Sequence, residues 1–511
     1  MLYLILWLIN NFLLLKYNLH IFQQNYYMPD TQLKWLIKNR YKFLLIFLIN
    51  IMQIYLIIIN NKFSLIIILI FLIINIYLSI EKNIIKQIVF TRRIKRLYLT
   101  NYLLLIIVYL LVKDLNKYLV ILFIINSLST IYMIILNYLN IPINNLINLY
   151  YINDAKKILK KMPNLKIIAI TGSYGKTSTK NHLDAMLSSK YNTLITPSNF
   201  NTRLGITRTI REYLKPTHEV FICEIGIDRV GQIEKIIKLI NPDYAVVTAI
   251  GPQHLETFKS IENITNSKMQ LVNLLKTEGT SFLNLDNEYI NNYAFNKQKV
   301  IGYGLKNSLN NKLKINNVHY PEFILTKDKI NYEVKANLLG EHNLINLYGA
   351  ITIADHFDVP IKNIINEIKK IKNADHRLNL ISGTDFSIID DSYNSNPVGA
   401  KSALKALNEF NGLKILITPG MVELGKRQAQ ENYQFGLFAA SICDYIYLIN
   451  KVQTKDIYQA LKDAKFDLTK VKIYEKFTEA MEEAKKQGVK LHKYILIEND
   501  LPDNYQVGRI K

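Results

Sequence analysis

The stretch Thr171-Gly172-Ser173-Tyr174-Gly175-Lys176-Thr177-Ser178 is the part of the chain best suited to holding phosphate. It follows a short β-rich run, 166–170, and precedes a segment of helical character, 179–188. Glycines let backbone N–H groups approach phosphate oxygens, and the N-terminus of the following helix adds partial positive charge. In such a loop Lys176 lies along the β- and γ-phosphates, and the Thr177 hydroxyl is a ligand for Mg²⁺. The general phosphate-loop pattern is met imperfectly, because Ile170 stands at its first glycine. Glu224 and His254 close two further strand-like runs. Carboxylates and imidazoles at strand ends facing a phosphate loop suit a Mg²⁺ site.

The elements that must position these groups begin near residue 166. From there β-rich runs alternate with helical patterns, as in a parallel sheet covered by helices. We expect a central ATP-binding domain of the phosphate-loop ATPase type over 166–375. A smaller Rossmann-like α/β domain is expected over 376–511, with strands near 413–418, 445–449 and 494–497. Lys268 falls on an expected helix, 260–275.

Residues 1–145 read differently, as near-continuous Leu, Ile, Tyr and Phe, followed by a linker over 146–165. Five apolar stretches, 2–15, 43–59, 63–80, 97–112 and 118–139, approach or reach the length of a membrane-crossing helix. Basic residues concentrate in the first and third connections and after the fifth stretch, and are sparse in the second and fourth. That alternation predicts an all-α membrane bundle of about five helices in contact with lipid. It also predicts a multi-pass location in a bacterial plasma membrane, with the catalytic domains cytoplasmic.

The net charge of +22 does not mark a nucleic-acid protein. Residues 1–150 and the remainder each carry half of it, and no Arg-rich stripe with interleaved aromatics stands out. Lys, Asn, Ile and Tyr are abundant throughout, as an AT-biased genome would produce. The two cysteines, Cys223 and Cys443, lie in separate apolar runs and suggest neither zinc nor a disulfide framework.

Five stretches, in order, carry a resemblance to the Mur ligases. They are Ala169-Ile170-Thr171-Gly172-Ser173-Tyr174-Gly175-Lys176-Thr177, Glu224-Ile225-Gly226, Gly251-Pro252-Gln253-His254-Leu255-Glu256, Gly340-Glu341-His342-Asn343-Leu344-Ile345-Asn346 and Asp390-Asp391-Ser392-Tyr393-Asn394-Ser395-Asn396-Pro397. The last, with Gly420-Met421-Val422-Glu423-Leu424-Gly425 downstream, looks most like the branch that adds D-alanyl-D-alanine to a muramoyl tripeptide.

The resemblance implies an ATP-dependent amide ligase of peptidoglycan precursor synthesis. Its expected substrates are a muramoyl peptide and D-alanyl-D-alanine, with Mg²⁺ as cofactor and an acyl phosphate as intermediate. Lys176, Lys268, His254 and Arg377 are then the catalytic candidates. Thr177 holds one metal, while Glu224, His254 and a carbamylated Lys268 hold another. Gln270 stands where the family pattern has Glu. His342 and Asn343 meet adenine, and Arg377 reaches the γ-phosphate. Asp391, Tyr393, Asn394 and Asn396 belong to the loop that closes on nucleotide and substrate. Asn199, Asn201 and Arg203 fall near the muramoyl substrate. Two other readings stay open: a folylpolyglutamate- or poly-γ-glutamate-type ligase, and a nucleotide-binding scaffold without catalysis. Family members begin with a small α/β domain for the UDP group. This chain has apolar helices there, so a UDP-linked and a lipid-linked donor both stay open.

Overall fold

In the computed structural model the chain divides into two compact units, one over Met1–Tyr150 and one running from Tyr151. The structure describes residues 2–25, 27–59, 62–79, 88–197, 200–294, 299–307, 313–317, 322–327, 329–336, 338–373, 376–392, 396–422, 424–487 and 491–499. The expected sites Asn199, Tyr393 and Asn394 lie outside the described residues.

The first unit is helical: α1 (Leu2–Gln24), α2 (Pro29–Lys38), α3 (Arg40–Ile59), α4 (Lys62–Ser79), α5 (Arg92–Val112), α6 (Leu115–Ser127) and the start of α7 (Ser129–Lys160). All five apolar stretches are helical, but the multi-pass membrane location is corrected. Among the described residues only Arg92–Val112 is long and apolar enough to cross a bilayer alone. The fifth stretch breaks at Leu128, where its two halves bend by 92°, and they pass the same test only jointly. Among the described residues the apolar helical stretches Phe43–Leu56 and Ile66–Asn75 do not meet that test. Asparagines inside the runs pair helix to helix: Asn101 Nδ2 donates to Asn11 Oδ1 (3.0 Å), and Asn11 Nδ2 to Asn126 Oδ1 (3.0 Å). The segment expected as a linker begins within α7.

The second unit opens with β1 (Lys166–Thr171), α8 (Lys176–Leu187), β2 (Thr193–Ile195), α9 (Arg203–Glu212), β3 (Val220–Glu224), α10 (Gln232–Ile240) and β4 (Tyr244–Val247). After them come α11 (Leu255–Phe258), α12 (Ile261–Asn273), β5 (Thr280–Asn284), α13 (Glu288–Asn291) and β6 (Lys299–Tyr303). The six strands form a parallel sheet in the order β2-β3-β1-β4-β5-β6. Alternation along β1 explains why both faces are covered. Ile167 and Ala169 enter one core with Ile236 and Val272, while Ile168 and Ile170 enter the other with Leu183 and Leu347. From β1 the chain passes to β2 and β3 on one side and then crosses to β4 on the other, which opens a crevice at the carboxyl ends of these strands. An antiparallel sheet, β7 (Leu313–Asn317), β8 (Glu322–Lys327) and β9 (Ile330–Lys335), precedes α14 (Glu341–His356) and α15 (Ile361–Ile368).

A second six-stranded sheet follows. Its elements are β10 (Asn379–Ile381), β11 (Phe386–Asp391), α16 (Pro397–Asn408), β12 (Leu413–Thr418), α17 (Gln428–Ala440), β13 (Tyr445–Ile449), α18 (Lys455–Asp463), β14 (Val471–Tyr474), α19 (Phe477–Lys486) and β15 (Lys493–Glu498). The order is β10-β11-β15-β12-β13-β14. It is a mixed sheet: β10 runs antiparallel at one edge, and the others are parallel. The three strands expected near 413, 445 and 494 are β12, β13 and β15. Nothing in the sequence reading called for β10.

Candidate active site

The phosphate loop sits at the end of β1, held by its neighbours. The Thr171 hydroxyl donates to the Ile225 carbonyl (3.3 Å), tying β1 to the end of β3. Gly172 passes so close to β4 that a Cβ there would collide with the Thr248 hydroxyl. Ser173 donates its amide to Ala249 O (2.6 Å), and its hydroxyl bonds Gly251 O (3.0 Å) and Gly251 N (3.1 Å). Gly175 caps α8 at φ +79°, a left-handed value that favours glycine, and a Cβ there would meet Asn346 of α14. The loop is thus a cradle that only glycine permits, with the positive end of α8 behind it. Thr177 and Ser178 lie in the first turn of that helix.

Two lysines converge on one carbonyl of this loop. Lys176 Nζ donates to Gly172 O (2.7 Å) and Ser173 O (3.1 Å), and Lys268 Nζ, from α12, donates to Gly172 O (3.0 Å). Burial lowers the Lys176 ammonium to about 8, opposed by Glu224 and reinforced by Arg377. Burial, and then the Lys176 charge, hold Lys268 well below the ordinary lysine value. An amine in this condition is readily neutral, the form that acts as a nucleophile toward CO₂.

Glu224, at the end of β3, is buried and nevertheless charged. Burial pushes its carboxyl up, but Lys180, then Lys176, then the Asn201 amide outweigh that and bring it below its ordinary value. Lys180 Nζ lies 3.1 Å from Glu224 Oε2, and Asn201 Nδ2 donates to Oε1 at 3.1 Å. Asn201, expected near the muramoyl substrate, is therefore turned toward Glu224. Arg203 occupies the first turn of α9. His254 adopts a left-handed φ of +51°, and its carbonyl accepts from Thr257 N and Phe258 N (both 3.0 Å) at the start of α11. Among the described residues no three His, Cys, Asp or Glu side chains gather as a metal cluster.

Next to the loop a cleft of about 220 Å³ is lined from both sheets' domains, by Gly175, Ser178, His342, Asn343, Arg377, Asp391 and Asn396 among others. His342 Nδ1 lies 2.8 Å from Ser402 Oγ, and burial, with Arg377, pushes its imidazole down to about 4. Asn343 Nδ2 is anchored to Leu339 O (2.8 Å). Asp391 accepts from the Leu378 amide (3.1 Å), yet burial pushes it up to about 7 against that bond and Arg377. Asn396 accepts from Gly399 N (2.8 Å), so this expected substrate residue caps α16 while lining the nucleotide-side cleft.

Sequence reading missed three participants. Thr248 holds the loop through the Tyr174 carbonyl, Asn346 packs against Gly175, and Lys180 pairs with Glu224. Only Lys180 left a signal. It stands four residues after Lys176, hence on the same face of α8.

Residues 170–354 match the Mur ligase middle domain, and residues 376–497 match the Mur ligase, glutamate ligase domain. These matches cover more than half of the chain, and the chain belongs to the Mur ligase family. A UDP-N-acetylmuramoyl-tripeptide–D-alanyl-D-alanine ligase of Bacillus subtilis is 30% identical over 274 residues, which are 53% of this chain and 59% of that protein. The namesake of Rickettsia prowazekii is 27% identical over 364 residues, covering 67% and 78% respectively. The chain thus spans about three fifths of the length of the Bacillus relative. Among solved structures, MurF from Acinetobacter baumannii shares the fold with a TM-score of 0.62 at 24% identity, covering 69% of this chain and 77% of that one. MurF from Thermotoga maritima, in complex with ADP, does so with a TM-score of 0.61 at 20% identity, over 71% and 83%.

Proposed function

We propose that the chain is an ATP-dependent amide ligase that joins D-alanyl-D-alanine to the terminal carboxylate of a muramoyl peptide. The convergence of Lys176 and Lys268 on the Gly172 carbonyl, beside the charged Glu224, carries this reading. Joining a carboxylate to an amine requires the carboxylate to be activated. A carboxylate oxygen attacks the γ-phosphorus of ATP, the bond to the β-phosphate oxygen breaks, and ADP leaves an acyl phosphate. The amine then attacks the acyl carbon, phosphate departs, and the amine gives up a proton as the amide forms.

Every reactant before the amine step is an anion, so the site must offset negative charge without delivering a proton. Lys176 and the α8 N-terminus supply part of that charge. Arg377, lining the cleft from the second domain, supplies more on the γ-phosphate side. His342 and Asn343 face the nucleoside end, and His342, pushed down to about 4, meets it as a neutral imidazole. Asp391 and Asn396 line the same cleft, and Tyr393 and Asn394 complete their loop. Asn199, Asn201 and Arg203 serve the muramoyl side.

The buried, ionised Glu224 and the Thr177 hydroxyl are hard oxygen donors of the kind Mg²⁺ takes alongside phosphates. Thr177 would hold one such ion, and Glu224, His254 and a carbamylated Lys268, whose depressed amine suits that modification, would hold a second. The ions would supply charge neutralisation and orientation of the phosphates. We further propose the domain limits 166–375 and 376–511.

The full chain, given ATP, Mg²⁺, a muramoyl tripeptide and D-alanyl-D-alanine, is expected to release phosphate only when both organic substrates are present. UDP-linked and lipid-linked donors should be run in parallel. Equal phosphate release with glutamate as acceptor would favour the folate- or poly-γ-glutamate-type reading. No release with any pair would leave a nucleotide-binding scaffold.

A further inference from the structure

Lys180 has no part in the reaction above, yet it is among the largest side chains the protein buries completely. On α8 it lies one turn beyond Lys176. Its Nζ is 3.1 Å from Glu224 Oε2 and 2.9 Å from the Thr196 carbonyl, at the end of β2. The Thr196 hydroxyl accepts the Glu224 amide (3.0 Å), and Asn201 occupies Glu224 Oε1 (3.1 Å). Asn201 thus bonds Oε1 and Lys180 forms an ion pair with Oε2, so the carboxylate charge is answered inside the protein.

A buried carboxylate without a cation is costly, so some positive charge must accompany Glu224 whether or not nucleotide is present. A divalent ion approaching it meets an ammonium already in place. Lys180 must then share the carboxylate with the ion or withdraw from it.

We propose that Lys180 is a positioning residue: an internal cation that keeps Glu224 ordered in the ion-free protein and competes with a divalent ion for its carboxylate. The inference rests on the reading of Glu224 as an ion ligand. Lys180 thereby weakens ion binding in exchange for a site formed in advance, and its removal makes the fold lean on the ion.

The test uses the full chain with ADP and Mn²⁺, reading free Mn²⁺ by electron paramagnetic resonance and the thermal midpoint in parallel. Lys180→Met should lower the Mn²⁺ half-saturation by about tenfold and enlarge the thermal shift on Mn²⁺ addition, because ion binding no longer works against an ammonium. Lys180→Arg should stay near the parent, and in Lys180→Met/Glu224→Gln the gain in Mn²⁺ binding should vanish while the protein remains folded. Should Lys180→Met be unfolded without ion, the expectation is that Mn²⁺ restores its fold, and failure of saturating Mn²⁺ to do so overturns the inference. Equal or weaker Mn²⁺ binding by Lys180→Met, with Glu224→Gln clearly impaired, sinks the role of Lys180 and leaves the site reading standing. Unchanged Mn²⁺ binding by Glu224→Gln removes the site reading and this inference with it.

Discussion

Glu224 and Asp391 are both carboxylates at the carboxyl end of a parallel strand, one in each sheet. Their surroundings push them in opposite directions. Glu224 has Lys180 and Lys176 beside it and is held below its ordinary value. Asp391 is pushed up to about 7, because burial outweighs the Leu378 amide and Arg377, and Asp390 adds repulsion. Position at a strand end thus does not decide what a carboxylate does; the count of nearby cations does. Glu224 is built to stay an anion, whereas Asp391 can hold a proton near neutral pH until a cation or substrate arrives.

The largest expected effect tests the cationic side of this comparison. Lys176→Ala removes the charge along the phosphates, and phosphate release should drop by roughly three orders of magnitude, with the thermal midpoint nearly kept. Parental turnover would make the loop merely structural. Lys268→Arg comes next. It keeps a positive charge but cannot form a carbamate, so it should be as inactive as Lys268→Ala. Turnover at the parental rate would refute the carbamate and with it part of the anionic set around Glu224.

The two carboxylates should then give opposite pH signatures in the nucleotide-free chain. Asp391 has a raised value, so it costs stability as pH rises from about 4 to about 7. Asp391→Asn should match the parent near pH 4 and exceed it above pH 7, by an amount of order a few kcal/mol. Glu224 has a lowered value, so its contribution is present above the ordinary glutamate range and is lost as pH falls through its folded value. Glu224→Gln should therefore lose most near neutral pH and converge with the parent in acid. Thermal midpoints from pH 2.5 to 8 check both, and parallel curves would erase the contrast. The smallest effect belongs to Asn396→Ala, which removes the cap of α16 and should cost about 1 kcal/mol by denaturant unfolding.

The order strand, glycine turn, Lys-Thr, helix was legible because each local preference agrees with the tertiary role: Gly175 is glycine for its left-handed backbone, and β1 is apolar on both faces because both are covered. Lys180 was not legible as a buried group, since a lysine on a helix is ordinarily solvated and only the packed structure shows Glu224 behind it. The bond from Asn201 to Glu224 was not legible either, because a sequence lists neighbours along the chain, not the strand end an amide turns to. The N-terminal region was misread for a related reason. Apolar composition predicts helices but not where they break, and the bend at Leu128 divides what read as one span. The edge strand β10, three residues long, carries too little pattern to be seen.

The bonds that hold Ser173 to Ala249 and Gly251 have a consequence for exchange kinetics. They close the loop before any nucleotide arrives, so the conformational entropy of ordering it is lost during folding and not at binding. The Ser173 amide is already bonded, and its hydrogen should exchange with solvent slowly in the ligand-free protein, hardly slower when nucleotide is added. A phosphate loop fixed in this way admits its ligand as a mould admits a casting, with association limited by diffusion and charge and not by rearrangement of the loop.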